Sequence, residues 1–158
     1  EIGRHLDGAV NTIRELSANL RPLMLDDLGL VATVKWYLED IQRRVNIRTE
    51  FRYDEDDIPL PEKVRTALFR IIQESVTNVI RHSGATVIIV TLVYQGGKIR
   101  LEIKDNGKGI TSSQINNPRS LGILGMKERA MLFGGTVIIK SSMNSGTTVR
   151  VELPMSSL

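Results

Sequence analysis

The sequence contains no cysteine, which excludes disulfide frameworks and thiolate metal sites. Aromatic residues make up only 4% of it, and its Lys and Arg residues are scattered, with no basic cluster interleaved with aromatics. We therefore expect no nucleic-acid partner. No apolar run approaches the ~20 residues that a membrane-spanning helix needs, and no signal-peptide pattern occurs. We expect no membrane contact by this chain.

The remaining composition is typical of a globular protein. The chain has 158 residues, of which 41% are hydrophobic and 25% charged, with a net charge of +3. This length allows one domain, or one domain with an appendage, and a sizeable core. The sequence begins with Glu1, in the middle of a helical pattern and without Met. We interpret it as a piece of a longer protein.

The first 45 residues have the pattern of two helices. Near-heptad spacing predicts a first helix that packs against a partner helix, with Ile2, Leu6, Val10, Ile13, Leu16 and Leu20 on its apolar face. Pro22 predicts its end at Arg21, because proline disfavours helical geometry in the residue before it. A second helix is predicted from about residue 28 to residue 45. Together they indicate a packing stalk.

The remaining elements alternate between strands and helices. The patterns predict strands at 46–53, 87–94, 98–104, 136–142 and 147–153, and helices at 61–83 and 125–133. The acidic run 54–57 is interpreted as a solvated turn, and the polar run 111–120 as a long loop with a functional role. This order predicts an α/β fold, an α+β two-layer sandwich with a mostly antiparallel sheet and helices on one face.

Three groups of polar and glycine residues are candidates for a site. Glu74, Asn78 and His82 lie one turn apart on one strip of the central helix, where they could bind a metal ion and phosphate oxygens. On this stretch alone, an ordinary amphipathic helix with polar boundary positions is the favoured interpretation. The second group is the turn 105–109, with sequence DNGKG, and the third is the segment 121–126, whose glycines are predicted to lead into a helix.

Together, these motifs resemble the ATP-binding domain of sensor histidine kinases. They are E-x-x-x-N-x-x-x-H, D-N-G-K-G, L-G-I-L-G-M-K-E-R and S-G-T-T-V, in that order. The resemblance covers nearly the whole chain and is greatest to the subfamily of the nitrate sensor and the lipid-desaturase thermosensor. The segment 20–30 resembles the one that follows the second dimerisation helix there, and 72–83 matches the N-box. The resemblance implies a Bergerat-type ATP-binding fold, shared with gyrase, the Hsp90 chaperone and the mismatch-repair ATPase.

The resemblance also implies a domain division and a phosphate end of the site. Residues 1–27 would be the C-terminal part of a helical dimerisation domain, and residues 28–158 the catalytic domain. Asn78 would ligate Mg²⁺ that bridges the phosphates of ATP. Glu74 would orient a metal-bound water or assist proton removal, and His82 would lie near the phosphates.

At the adenine end, the resemblance implies that Asp105 binds the adenine amino group. Gly107 and Gly109 would shape that pocket, and Thr147 or Thr148 would approach the adenine.

The loop 111–121 would be a lid over the nucleotide, by the same resemblance. Gly122 and Gly125 would present backbone amides to the phosphates, and the nucleotide-binding set includes Leu124 and Met126 of the same segment. Two departures from the family pattern occur. Ser120 replaces a frequent glycine at the lid hinge, and the turn 143–145 replaces a commoner Pro-Gly turn.

The implied function is ATP-dependent phosphorylation of a histidine on the dimerisation domain, followed by transfer to a response regulator. We expect a homodimer in the full-length protein and a cytoplasmic location, or the cytoplasmic part of a membrane-bound sensor. His5 is interpreted as a residue of the second dimerisation helix, with the acceptor histidine upstream. The alternatives are a conformational ATPase or an anti-sigma serine kinase on the same fold, and a non-catalytic binding module.

Overall fold

The computed structural model describes the backbone of residues 2–155 and the side chains of residues 23–155. Its helices are α1 (Ile2–Arg44), α2 (Glu62–Asn78), α3 (Ser112–Ile115) and α4 (Leu121–Met131), and α2 continues directly into a π-helical turn at Val79–Ser83. Its strands are β1 (Arg48–Tyr53), β2 (Val87–Gln95), β3 (Lys98–Asp105), β4 (Thr136–Ser142) and β5 (Gly146–Pro154). The apolar face predicted between Ile2 and Leu20, and the side chain of His5, lie outside the described side chains.

Helix α1 differs from the prediction at its break. The backbone stays helical through Pro22 and leaves helical geometry at Gly29, where φ is 79° and ψ is 179°. The predicted helix end at Arg21 is therefore wrong. Proline removes one hydrogen bond but keeps a helical φ, whereas a positive φ turns the chain out of the helix and favours glycine. The second part of α1 starts after this kink, where the hydroxyl of Thr33 donates to the carbonyl of Gly29 at 2.7 Å.

The five strands form one mixed sheet in the order β1-β2-β3-β5-β4. β1 is parallel to β2, and the other neighbouring pairs are antiparallel. The tight connection between β2 and β3 follows from Gly96 and Gly97, which adopt φ of 62° and 69°. Positive φ at both central residues is typical of a two-residue hairpin turn, and glycine adopts it without strain. The strands predicted at 87–94 and 98–104 are confirmed, and this turn joins them as a hairpin.

The helices cover one face of the sheet. Alternate residues of the central strands are fully buried against the helices, among them Ile88, Val90 and Leu101. The residues between them lie on the opposite face, where Arg150 pairs with Glu102 across β5 and β3 at 2.6 Å. This alternation is typical of an antiparallel sheet with one packed face and one solvated face. The predicted two-layer fold is therefore confirmed.

Two further elements differ in their bounds. α4 begins at Leu121, four residues before the predicted start at residue 125, so Gly122 lies inside the helix instead of before it. The Leu124 amide already donates to the Ser120 carbonyl, which starts the helix there. The predicted loop 111–120 contains α3, held by reciprocal bonds between Thr111 and Gln114 that form a capping box.

Two expectations concern the whole chain. Within residues 2–155, no helix is long and apolar enough to cross a membrane. The domain division between residues 27 and 28 stays a prediction, and the kink at Gly29 lies close to it.

Candidate functional site

A cavity of about 660 Å³ opens between α2, the end of β3, the β4–β5 turn and the segment that leads into α4. Eight of the predicted site residues line it: Glu74, Asn78, His82, Asp105, Gly109, Gly122, Met126 and Thr147. We call the side formed by α2, the π turn and the β3 end the helix wall. We call the segment 111–124, which contributes further lining residues, the lid wall.

Glu74 and Asn78 lie one turn apart on α2, and both side chains face the cavity. They are half-buried, since they lie at the border of the apolar face of α2. Gly122 of the lid wall packs directly against the Glu74 carboxylate, so closely that a Cβ atom at position 122 would overlap Oε1. The hydroxyl of Ser75 donates to the sulfur of Met126 at 3.3 Å and ties α2 to α4. The two walls therefore meet at Glu74.

The π turn changes the geometry expected for His82. A regular α-helix would place His82 one turn above Asn78, but residues 79–83 form a wider turn. His82 nevertheless lines the cavity, with an exposed side chain. Ser83 closes the turn, because its hydroxyl donates to the Val79 carbonyl at 2.7 Å. Gly84 then ends it with a φ of 63°. The sequence pattern gave no signal for the π turn.

Asp105 lies at the inner end of the cavity and is only 4% exposed. Burial raises the pKa of its carboxyl group, while hydrogen bonds from the backbone amides of Gly107 and Thr147 oppose this shift. The Gly107 amide donates to Oδ1 at 2.7 Å. Such a buried carboxylate needs polar partners, and it can accept a hydrogen bond from an amino group of a ligand.

The glycines after Asp105 allow a close approach between chain segments. A Cβ atom at Gly107 would collide with the backbone of Ser83, and one at Gly109 with the carbonyl of Ser142. Gly109 also has a φ of 78°. These two positions hold the turn 105–109 between the π turn and the β4–β5 turn. Gly107 thus shapes the cavity without lining it.

Four predicted binding residues do not line the cavity: Gly107, Leu124, Gly125 and Thr148. Thr148 lies on the opposite face of the sheet from Thr147, where its neighbours across the strands are Lys104 and Lys140. Because successive strand residues face opposite sides, only one of the two threonines can face the cavity. Leu124 is 45% exposed. The predicted nucleotide contacts of these four residues stay predictions.

Several lining residues lie outside the predicted set of individual binding residues. They include Lys108 of the turn 105–109 and, within the predicted lid 111–121, Thr111, Gln114 and Asn117. Lys108 is exposed at the mouth of the cavity. Its position in the D-N-G-K-G motif is the signal that could have identified it.

The oxygen donors of the helix wall fit a magnesium ion that is shared with a ligand. No cluster of three or more His, Asp or Glu side chains that could hold a metal by itself occurs among the described residues. Mg²⁺ commonly keeps several waters and uses one or two protein oxygens together with substrate phosphates. The carboxamide of Asn78 and the neighbouring carboxylate of Glu74 provide such oxygens, and both face the cavity.

The chain matches a known family of ATPases. Residues 63–157 match the model of the histidine kinase-, DNA gyrase B- and HSP90-like ATPases. The matched range contains all the residues that line the cavity.

The curated relatives of this chain include histidine kinases. The chain is 32% identical over 99% of its length to the signal transduction histidine-protein kinase/phosphatase DegS of Brevibacillus brevis. It is also 32% identical over 92% of its length to the oxygen sensor histidine kinase NreB of Staphylococcus carnosus. The chain spans 40% of the first relative and 42% of the second.

Solved structures share the fold. The histidine kinase domain of the blue-light activated histidine kinase of Erythrobacter litoralis EL346 matches with a TM-score of 0.67 and 18% identity. The match covers 99% of this chain and 93% of that domain. The ATP binding domain of PrrB from Mycobacterium tuberculosis matches with a TM-score of 0.58 and 22% identity, over 81% of this chain and 93% of that one.

Proposed function

This chain belongs to the family of histidine kinase-, DNA gyrase B- and HSP90-like ATPases, and we propose that it is the ATP-binding catalytic domain of a sensor histidine kinase. It would transfer the γ-phosphoryl group of ATP to a histidine on a dimerisation domain, and the phosphoryl group would then pass to a response regulator. The kinase names of the curated relatives support this reading over a conformational ATPase or a serine kinase.

The observation that carries the proposal is the shared cavity. Asn78 of α2 and Asp105 of β3 are 27 residues apart by their numbers, yet both line one cavity with Gly122 of α4. A buried carboxylate at one end suits an amino-bearing base, and amide and carboxylate oxygens at the other suit a metal-bound phosphate chain. A nucleotide, which joins a flat base to an anionic phosphate chain, requires both kinds of group, one at each end of its binding site.

In this proposal, Asp105 accepts a hydrogen bond from the adenine amino group, and Thr147 approaches the same end. Asn78 is the protein ligand of Mg²⁺, whose charge would offset that of the phosphates. Glu74 orients the proton-transfer partner, and Gly122 presents a backbone amide near the start of α4, where helix N–H groups are free to bind phosphate. Phosphoryl transfer depends mainly on such positioning and charge compensation.

The proposal also concerns the full-length protein. It would act as a homodimer through its dimerisation helices, with ATP and a response regulator as partners, and this part of it would be cytoplasmic.

Nucleotide binding is the first test. A ligand that binds the native state alone raises the free energy of unfolding by about 2.7 kcal/mol at a concentration of about 100 times its Kd. We therefore expect ATP with Mg²⁺ to raise the melting temperature of the chain. An unchanged melting temperature at millimolar nucleotide would contradict the proposal.

The metal assignment has its own test. Asn78→Asp places a second carboxylate near the phosphates, and we expect it to slow phosphorylation of a supplied dimerisation domain by about 100-fold or more. The matched control is Asn116→Asp, since Asn116 is an exposed lid residue that does not line the cavity. Equal rates for the two variants would refute the role of Asn78.

A further inference from the structure

The charges around the cavity are unbalanced for an anionic ligand. The carboxyl groups of Glu74 and Asp105 line it, and both would repel phosphate when ionised. Among the described lining residues, Lys108 is the only Lys or Arg. ATP remains anionic even with a magnesium ion bound, so a cation at this site would stabilise it.

The backbone of Lys108 is held from both sides. Its amide donates to the Ser83 carbonyl at 2.9 Å, and its carbonyl accepts from the Asn144 amide at 2.8 Å. The glycines at 107 and 109 leave no room for a Cβ atom, so the turn has little freedom to shift. The Lys108 side chain, in contrast, is exposed at the mouth of the cavity.

The Lys108 ammonium group also has no ion-pair partner among the described side chains. A lysine with a fixed backbone, a long flexible side chain and no carboxylate partner can reach an anionic group at the mouth of a cavity. Asp105 lies at the buried end, three positions before Lys108 in the chain, so the base would be inside and the phosphates nearer the mouth.

We propose that the Lys108 ammonium group binds the phosphate chain of the nucleotide and gives the site its preference for phosphorylated nucleotides over the nucleoside. This inference rests on the proposed function.

The experiment measures Kd for ATP, ADP and adenosine in the presence of Mg²⁺. The wild type is compared with Lys108→Met, Lys108→Arg and the control Lys104→Met. Lys104 is an exposed lysine of β3 that does not line the cavity. We expect Lys108→Met to weaken ATP binding about tenfold, ADP binding less, and adenosine binding by less than about twofold, because charge-assisted bonds to phosphate are lost. Lys108→Arg keeps most of the affinity for ATP, and Lys104→Met keeps all of it.

Salt gives a second readout. The tenfold difference in Kd for ATP between the wild type and Lys108→Met should decrease between about 0.05 M and about 0.5 M salt, because the ammonium group of Lys108 is exposed to solvent. Unchanged ATP affinity in Lys108→Met, or an equal loss for adenosine and ATP, would overturn the assignment of Lys108 while leaving the proposed function intact. A wild type that binds no ATP would overturn the proposed function, and this inference with it.

Discussion

The two walls of the cavity are built differently. In the helix wall, buried residues form hydrogen bonds to other elements of the fold. Ser75 of α2 bonds Met126 of α4, and Asp105 of β3 accepts from the backbone amide of Thr147 in β5. In the lid wall, the side-chain hydrogen bonds of residues 111–120 join residues of the same segment. Leu121, which follows these residues as the first residue of α4, is 74% exposed. Segments with few tertiary contacts open at low free-energy cost. We therefore expect the helix wall to be preformed and the lid wall to rearrange around a ligand.

One glycine substitution beside the helix wall and one in the lid wall test this difference. Gly146 begins β5 and packs against Asp105 of the helix wall, and Gly146→Ala should lower the free energy of unfolding by about 3 kcal/mol or more. Gly146 has a φ of 81°, and a Cβ atom there would overlap the backbone carbonyl of Asp105, which cannot move without shifting β3. Urea denaturation measures the loss.

The matched control is Gly96→Ala in the β2–β3 turn. Gly96 also has a positive φ, 62°, but a Cβ atom there meets nothing within 4 Å. Only the backbone strain remains, which costs about 1–2 kcal/mol. Equal losses for the two variants would show that the Asp105 backbone is not a rigid part of the site.

In the lid wall, Gly122→Ala should have little effect on stability, because the added methyl group meets only the end of a flexible side chain, Glu74. Alanine also favours a helix interior over glycine by about 1 kcal/mol. The Glu74 carboxylate must move aside, so we expect phosphoryl transfer to slow about tenfold, or 1.4 kcal/mol in the barrier.

A double-mutant cycle with Glu74→Gln is the control for this prediction. If Gly122→Ala acts through the carboxylate, it should cause little further loss when that carboxylate is already absent. Fully additive losses would place its effect elsewhere.

The pH dependence of stability tests the buried end of the helix wall. Because burial raises the pKa of Asp105 above 3.8, the folded state holds its proton more tightly than the unfolded state. The contribution of this group to stability is therefore present at low pH and lost as pH rises through the folded-state pKa. Asp105→Asn lacks this loss, so its stability relative to the wild type should increase from about pH 4 to about pH 7. Chemical denaturation at several pH values measures the difference, and a constant difference would contradict a raised pKa.

The sequence predicted the helix wall better than the lid wall. Alternation located every strand, and helical spacing placed Glu74 and Asn78 on one strip of α2. Local patterns determine these features, because each strand or helix buries one continuous face. Alternation also predicts that Thr147 and Thr148 face opposite sides of the sheet. Thr148 could therefore have been excluded from the predicted site by the sequence pattern alone.

Other features depend on non-local packing. The passage of α1 through Pro22 and its kink at Gly29 are examples, because a proline permits either outcome. The π turn at 79–83 bonds to the turn after β3, where the Lys108 amide donates to the Ser83 carbonyl, and α4 packs on α2 where Ser75 bonds Met126. Such contacts join residues far apart in the sequence, so no local pattern indicates them.

Hydrogen–deuterium exchange with and without Mg·ATP tests the central claim most directly, namely that the nucleotide lies between the two walls. We predict that amides of α2 are protected without nucleotide, and that residues 111–124 gain protection when Mg·ATP binds. No gain in residues 111–124 at saturating nucleotide, or a gain confined to the open face of the sheet, would contradict the account.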